Sequence, residues 1–427
     1  MSWVMAGSLF RQVASFVTGI LTARLLGMAD FGKLAVIQTT VVMISNFGQA
    51  GIGLSTTKYV ASTRATDQQR AGRIIGFSLM FAGVSSLLVG VTIAYFSPWI
   101  GEKLVPGSNL SESLALSSAW IAFEIIGLLQ LRILAGLESF RSSANITFYQ
   151  GVVLLPLICM GAYYGGVTGT IVAYSIMGML SCIVSQLIIG KECRRFNVRI
   201  EFRRCWEEWR ILRMSTMVWL SAIAMNTTNW LVGMVLARQP AGLTEFALFN
   251  AASRFQNVLT FLPNRVFHVS LPVLANLQAD GNRRGFTKAL ASLGALTLGV
   301  TGTGAAIFIL FSERLMSWYG AGFAGGGKVL GIIALLCVMS SLWTVATAGL
   351  WAAEQSRQML SLDVVRGLLL LFLCLGGLAA NAQRLALAHL ISYSVGLVLL
   401  IFALLRYLRQ PWPSDKPVQN AEAQKVL

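Results

Sequence analysis

Four charged residues, Arg11, Glu124, Arg254 and Arg265, sit inside stretches of this chain that are otherwise apolar. Charge in such surroundings is costly and tends to face a partner or a watery cavity. Arg11 belongs to a polar series, Ser8, Arg11, Ser15, Thr18 and Thr22, whose steps of three and four draw one stripe along a helix. A second series, Asn250, Ser253, Asn257, Thr260, Asn264 and His268, keeps the same step. Arg254 and Arg265 accompany it about three turns apart, which predicts a shared face roughly 16 Å long, kinked at Pro263. Gln38, Ser45 and Gln49 add hydrogen-bonding groups in a third run, and Asn226 and Asn229 in a fourth. Three arginines against one carboxylate describe a cationic cavity, suited to an anionic ligand with many hydroxyls. A phosphate-linked sugar has both properties, because guanidinium pairs well with phosphate oxygens. Glu124 reads either as a buried partner for one arginine or as a proton carrier. The polar series also has a plain structural reading, as bonds to its own helix, and Arg11 as a side chain reaching to the membrane surface.

These residues need a membrane to position them. The 427-residue chain is 56% hydrophobic and 12% charged, with mean hydropathy +0.69, where a soluble globular chain carries about 25% charge. Twelve apolar runs follow, near 4–26, 34–57, 74–96, 114–135, 146–164, 168–190, 215–236, 246–273, 289–311, 328–351, 362–380 and 385–406. Each is long enough for a hydrocarbon core of about 30 Å, and too uniformly apolar for the strands of a barrel. The expected fold is an all-α integral membrane protein.

A repeat divides it. Glu138, Arg141 and Gly151 recur as Glu354, Arg357 and Gly367, all displaced by 216 residues, and Ala23-Arg24 is echoed by Ala237-Arg238. Each copy holds six runs, an even number, so the two lobes, 1–190 and 215–406, are expected to be related by a pseudo-two-fold axis along the membrane normal with a cavity between them. The two Glu-x-x-Arg pairs read as helix-end ion pairs or as parts of an inner gate.

Charge placement orients the chain. One set of alternate loops carries 23 of the 33 lysines and arginines, counting Arg366 among them, and the other set carries 7, which puts both termini in the cytoplasm. The net charge of +16 is then mostly a topology signal, with anionic lipid head groups, and no nucleic acid, as the partner of the basic 191–214 linker. Trp206 and Trp209 make that linker an interfacial amphipathic segment. No cleavable leader is evident, and residues 407–427 read as a disordered cytoplasmic tail. The six cysteines show no paired spacing, so no disulfide, metal or cofactor is expected.

Ala23-Arg24-Leu25-Leu26-Gly27 with Asp30-Phe31-Gly32 resembles the signature that closes the first span of Wzx-type polysaccharide flippases, of the multidrug/oligosaccharidyl-lipid/polysaccharide exporter superfamily. Gly51-Ile52-Gly53 with Lys58-Tyr59-Val60-Ala61, Gly136-Leu137-Glu138-Ser139-Phe140-Arg141, and Gly320-Ala321-Gly322-Phe323 are similar to later stretches of that family, in order along nearly the whole chain. Asp30 stands where the family more often has glutamate. The resemblance implies a V-shaped pair of six-helix lobes that alternates access to a central cationic cavity in the bacterial inner membrane. It implies as cargo an oligosaccharide joined through pyrophosphate to a polyprenyl carrier, with polysaccharide polymerase machinery as a partner. Family cavity arginines map to Arg11 and Arg24; Arg254, Arg265, Asn257, Asn264 and His268 come from spacing alone. Lipid II flippases carry two further spans, so twelve runs speak against that assignment. A drug or metabolite antiporter of the same superfamily is the alternative, disfavoured by a single mid-run carboxylate. A membrane glycosyltransferase or polymerase lacks the large outer loop it would need. A complete cavity within one chain makes a monomer the expected state.

Overall fold

The computed structural model describes residues 2–410 other than 108, 109, 215 and 354, with the backbone alone at 2–6, 213–214, 216–218, 221, 268–269 and 356. Among the described residues every regular element is helical. In chain order these are α1 (Ser2–Gly48), α2 (Ile52–Thr63), α3 (Gln68–Leu104), α4 (Leu110–Gly136) and α5 (Phe140–Arg195). There follow a one-turn α6 (Ile211–Met214), α7 (Thr216–Ala237), α8 (Gly242–Leu259), α9 (Phe261–Ala279) and α10 (Arg283–Leu310). The last are α11 (Ser312–Ser317), α12 (Gly327–Ala352), α13 (Ser356–Leu373) and α14 (Ala382–Leu408). Among the described residues, seven helices are long and apolar enough to cross a membrane, or eight if α8 and α9 form one bent span.

Glycine decides where the longest helices turn. At 47 and 56 residues, α1 and α5 far exceed the roughly 20 residues of one crossing. Each changes direction at a glycine with positive φ, Gly27 at 77° and Gly166 at 56°, a conformation that side chains with a Cβ resist. Two of the apolar runs are broken where continuous helices were expected. The second run stops at Gly48, turns through Ala50 and Gly51 with φ of 45° and 70°, and resumes as α2. The eighth run breaks at Thr260, where α8 and α9 meet at 47°. The cause is Pro263: it has no N–H for the carbonyl of Leu259 and its ring crowds that carbonyl, so the helix ends there, before the proline rather than at it.

Helix α4 packs between α3 and α5, and α5 lies along α1; α12 lies between α10 and α14, and α13 packs on α7 and α14. The repeat is visible in these contacts. A Cβ at Gly151 of α5 would lie 3.2 Å from the Arg11 Cα of α1, and one at Gly367 of α13 would lie 3.2 Å from Thr228 Oγ1 of α7. The same glycine therefore allows the same close pairing in both copies.

Three cytoplasmic-loop expectations change. Glu138 takes φ of 53° and pairs with Arg64 at 2.5 Å instead of with Arg141, which is exposed at the start of α5. Arg366 is no loop cation: it lies inside α13, 5% exposed. Helices α5 and α14 run on to Arg195 and Leu408, beyond the boundaries expected at 190 and 406; Glu354 and residues 411–427 of the tail lie outside the described residues. The linker docks on α3. Residues 199–201 cross it at Gly72 and Gly76, where Glu201 N donates to Gly72 O at 3.3 Å and a Cβ would fall on the Arg199 or Glu201 carbonyl. Glu208 pairs with Arg70 at 3.3 Å and with Arg73 at 3.8 Å, leaving Trp206 and Trp209 exposed. Gly76→Val should force this segment off, since overpacking costs about 1–3 kcal/mol. Tryptic cleavage at Arg199, Arg203 and Arg204 of the purified protein should then run roughly tenfold faster, as cleavage follows the undocked population.

Candidate functional site

Two adjoining cavities, about 730 and 810 Å³, lie among α1, α4, α5, α7, α8, α9, α12 and α14. They share Arg11, Gln12, Ser15 and Asn257 as lining residues, so Arg11 and Asn257 stand at the junction of two chambers. The α1 stripe divides accordingly. Ser8, Arg11 and Ser15 line the chambers, whereas Thr18 is buried with its hydroxyl donating back to Ala14 O at 2.7 Å, and Thr22 is buried against protein.

The chamber of about 730 Å³ contains Arg254. Gly19 of α1 makes space for it, because a Cβ there would lie 2.5 Å from Arg254 Nη1. The guanidinium donates through Nη2 to Gln38 Oε1 at 3.0 Å, and Gln38 Nε2 donates to the Tyr174 hydroxyl at 3.1 Å. Tyr174 stacks face to face on Trp120, centroids 4.3 Å apart, and Arg254 also sits 5.5 Å from the Phe31 ring centroid. A cation is thus tied across α8, α1 and α5, with one buried guanidinium nitrogen, Nε, unpartnered among the described residues. Asn226, Asn229, Asn250, Ser253 and His389 line the same chamber, His389 stacking on Phe249 at 5.6 Å.

Arg265 belongs to the chamber of about 810 Å³ with Asn264 and Thr260, held 5.1 Å from the Phe261 ring centroid. The bend at Thr260 therefore separates Arg254 and Arg265, which do not share one straight face. Glu124 faces the Arg254 chamber, bonded to Trp120 and acted on by the charge of Arg11; it is the single carboxylate lining either chamber among the described residues.

Other expected site residues lie elsewhere. Arg24 is not a lining residue: its Nε donates to Trp318 O at 2.6 Å. Glu138, Arg141 and Arg357 line neither chamber, and the side chain of His268, like the whole of Glu354, lies outside the described residues. The aromatic wall of Trp120 and Tyr174 went unread in the sequence. One signal was available: Trp120 precedes Glu124 by four residues, one turn along the same face.

An aromatic cluster adjoins the first chamber at Phe16, which lines it. Phe16, Phe31, Phe255, Tyr319 and Phe323 form a continuous set of aromatic contacts with centroids 4.9–6.5 Å apart. Beside it, Gly32 brings α1 so close to Leu243 O that a Cβ would overlap it.

A family model described as "Polysaccharide biosynthesis protein" matches residues 1–278. The chain is 24% identical over 355 residues to the EPS I polysaccharide export inner membrane protein EpsE of Ralstonia nicotianae, covering 79% of this chain and 78% of that protein. Its fold is similar to an inward-facing multidrug resistance MATE family transporter of the MOP superfamily, with TM-score 0.79 at 15% identity over 93% of this chain and 95% of the other. It is also similar to the lipid II flippase MurJ in an inward closed conformation, with TM-score 0.74 at 15% identity over 95% and 87% of the two chains.

Proposed function

The chain belongs to the family of polysaccharide biosynthesis proteins, and from that premise we propose that it flips a polyprenyl-pyrophosphate-linked oligosaccharide from the inner to the outer leaflet by alternating access. It is a multi-pass inner-membrane transporter rather than an enzyme. The observation that carries the proposal is the charge of the chambers: Arg11, Arg254 and Arg265 against Glu124 alone. Two excess cations inside a membrane need an anionic cargo to face.

In this reading twelve spans form two six-helix lobes, 1–190 and 215–406, related along the membrane normal and joined by the 191–214 linker, with both termini cytoplasmic. Arg11 and Arg265 meet the pyrophosphate near the chamber junction, where Asn257 and Asn264 supply further donors. The Trp120–Tyr174 wall and the asparagines of the Arg254 chamber meet the sugars, aromatic faces stacking on the apolar faces of pyranose rings. The lipid tail stays in the bilayer between the lobes. The aromatic end and the chamber extending to Ser8 and Phe267 support an inward-open state. Glu124 is the candidate for ion coupling. The protein works as a monomer, with anionic lipids at its linker and polymerase machinery downstream.

A cation-coupled drug antiporter of the same superfamily is disfavoured by the same charge count. Mass spectrometry of lipid extracts from a depleted strain, with surface glycan scored in parallel, separates the two. Accumulation of a polyprenyl-pyrophosphate oligosaccharide with loss of surface glycan is expected. An unchanged lipid pool with intact glycan would sink the flippase reading.

A further inference from the structure

Arg24 and Arg238 occupy matching places in the repeat, 214 residues apart, and both side chains are exposed. Neither lines the transport chambers. Arg24 ends the first half of α1, three residues before Gly27, whose φ is 77°. Arg238 follows the end of α7, three residues before Ala241, whose φ is 58°.

Their bonds are reciprocal. Arg24 of the first half donates through Nε to Trp318 O, at 2.6 Å, at the C-terminal end of α11 in the second half. Arg238 of the second half donates through Nε to Leu104 O, at 3.0 Å, and through Nη2 to Lys103 O, at the C-terminal end of α3 in the first half. Leu104 and Trp318 are themselves 214 residues apart, so donor and acceptor obey one displacement. The last carbonyls of a helix have no partner within it and carry partial negative charge, which makes them natural acceptors for a guanidinium. Each half therefore caps a helix of the other half.

The position of these bonds matters more than their number. Trp318 precedes Tyr319, which packs with Phe31 and Phe323 in the aromatic cluster, Met28 lies against Gly322, and Gly32 meets Leu243 between the two arginines' turns. Apolar contact holds the cluster together without direction; the two arginine bonds are directional and cross from one half to the other. Opening this end must break both.

We propose that Arg24 and Arg238 are a pair of symmetric latches that hold the outer end of the transporter closed, and that their release is a step in every transport cycle. The inference rests on the alternating-access reading and its orientation, but not on the identity of the cargo.

The test is labelling of a Ser253→Cys reporter in the Arg254 chamber by a membrane-impermeant maleimide, applied to spheroplasts of a strain that makes no lipid-linked glycan, with native-cysteine labelling subtracted. Arg24→Ala and Arg238→Ala are each expected to speed labelling roughly tenfold, the usual effect of losing a hydrogen bond from a charged group. The double variant should label faster than either. Should the alanine variants insert poorly, Arg24→Gln and Arg238→Gln provide the same reading, because glutamine is too short to reach the opposite helix end. An unchanged rate in a normally inserted double variant, alanine or glutamine, would overturn the proposal. Since no glycan is present, a wrong cargo would leave the result intact, while a wrong latch would show even if the flippase reading held.

Discussion

Export of surface glycan is expected to fall about a hundredfold or more when Arg11 and Arg265 are both changed to alanine. Arg11 stands at the junction of the two chambers and Arg265 in the one beside Asn264, so a pyrophosphate seated there would meet both guanidiniums. A hydrogen bond to a charged group contributes about 1.5–3 kcal/mol, and about 1.4 kcal/mol is a factor of ten, so each loss should cost roughly tenfold or more. Lysine at either position should restore only part of the rate, because an ammonium retains charge but not the two-pronged geometry that matches phosphate. Glycan export is measured against protein level in the membrane. Full export from a normally inserted double variant would remove these arginines from the binding site.

A second large effect is expected on stability, at a residue outside the transport path. Arg366 is buried between the Tyr393 and Trp343 rings, whose centroids lie 4.1 and 5.2 Å from its Cζ, with Asp363 at 3.9 Å and Met225 Sδ at 3.4 Å. Gly396 admits its stem, since a Cβ there would lie 3.1 Å from Arg366 Cδ. A desolvated cation over an aromatic face contributes about 2 kcal/mol, and this cation has two such faces. Removing it also leaves a cavity and uncovers the Asp363 carboxylate. Arg366→Ala should therefore destabilise the purified protein by about 3–5 kcal/mol, in the range seen when one partner of a buried pair is lost. Tyr393→Phe preserves the ring and should remain near wild type, whereas Tyr393→Ala should lose much of what Arg366→Ala loses. Thermal unfolding in detergent decides the matter; equal stability of all three would mean that the arginine is merely accommodated.

Arg366 shows why part of this protein was illegible beforehand. Its neighbours in sequence, Val365 and Gly367, say nothing of the two rings, which come from α12 and α14. A charge near the start of an apolar run reads as a loop residue until the helices that enclose it are in place. Arg24 is similar: the motif around it was legible, but its acceptor lies 294 residues away.

The all-helical, multi-pass membrane class and the polar steps along its helices were readable from residues alone. They depend on composition and on periodicity within one segment, both local quantities: apolar runs must become helices in lipid, and a step of three and four must make a stripe. Periodicity orients a residue only relative to its own helix axis. Which way that helix is rotated, and where it bends, is set by its neighbours. Gly19 opens space for Arg254 and Gly151 lets α5 close on Arg11, while Pro263 turns the chain so that Arg254 and Arg265 enter different chambers. The tertiary structure alone decided which charges share a cavity, because that depends on contacts between helices far apart in the chain.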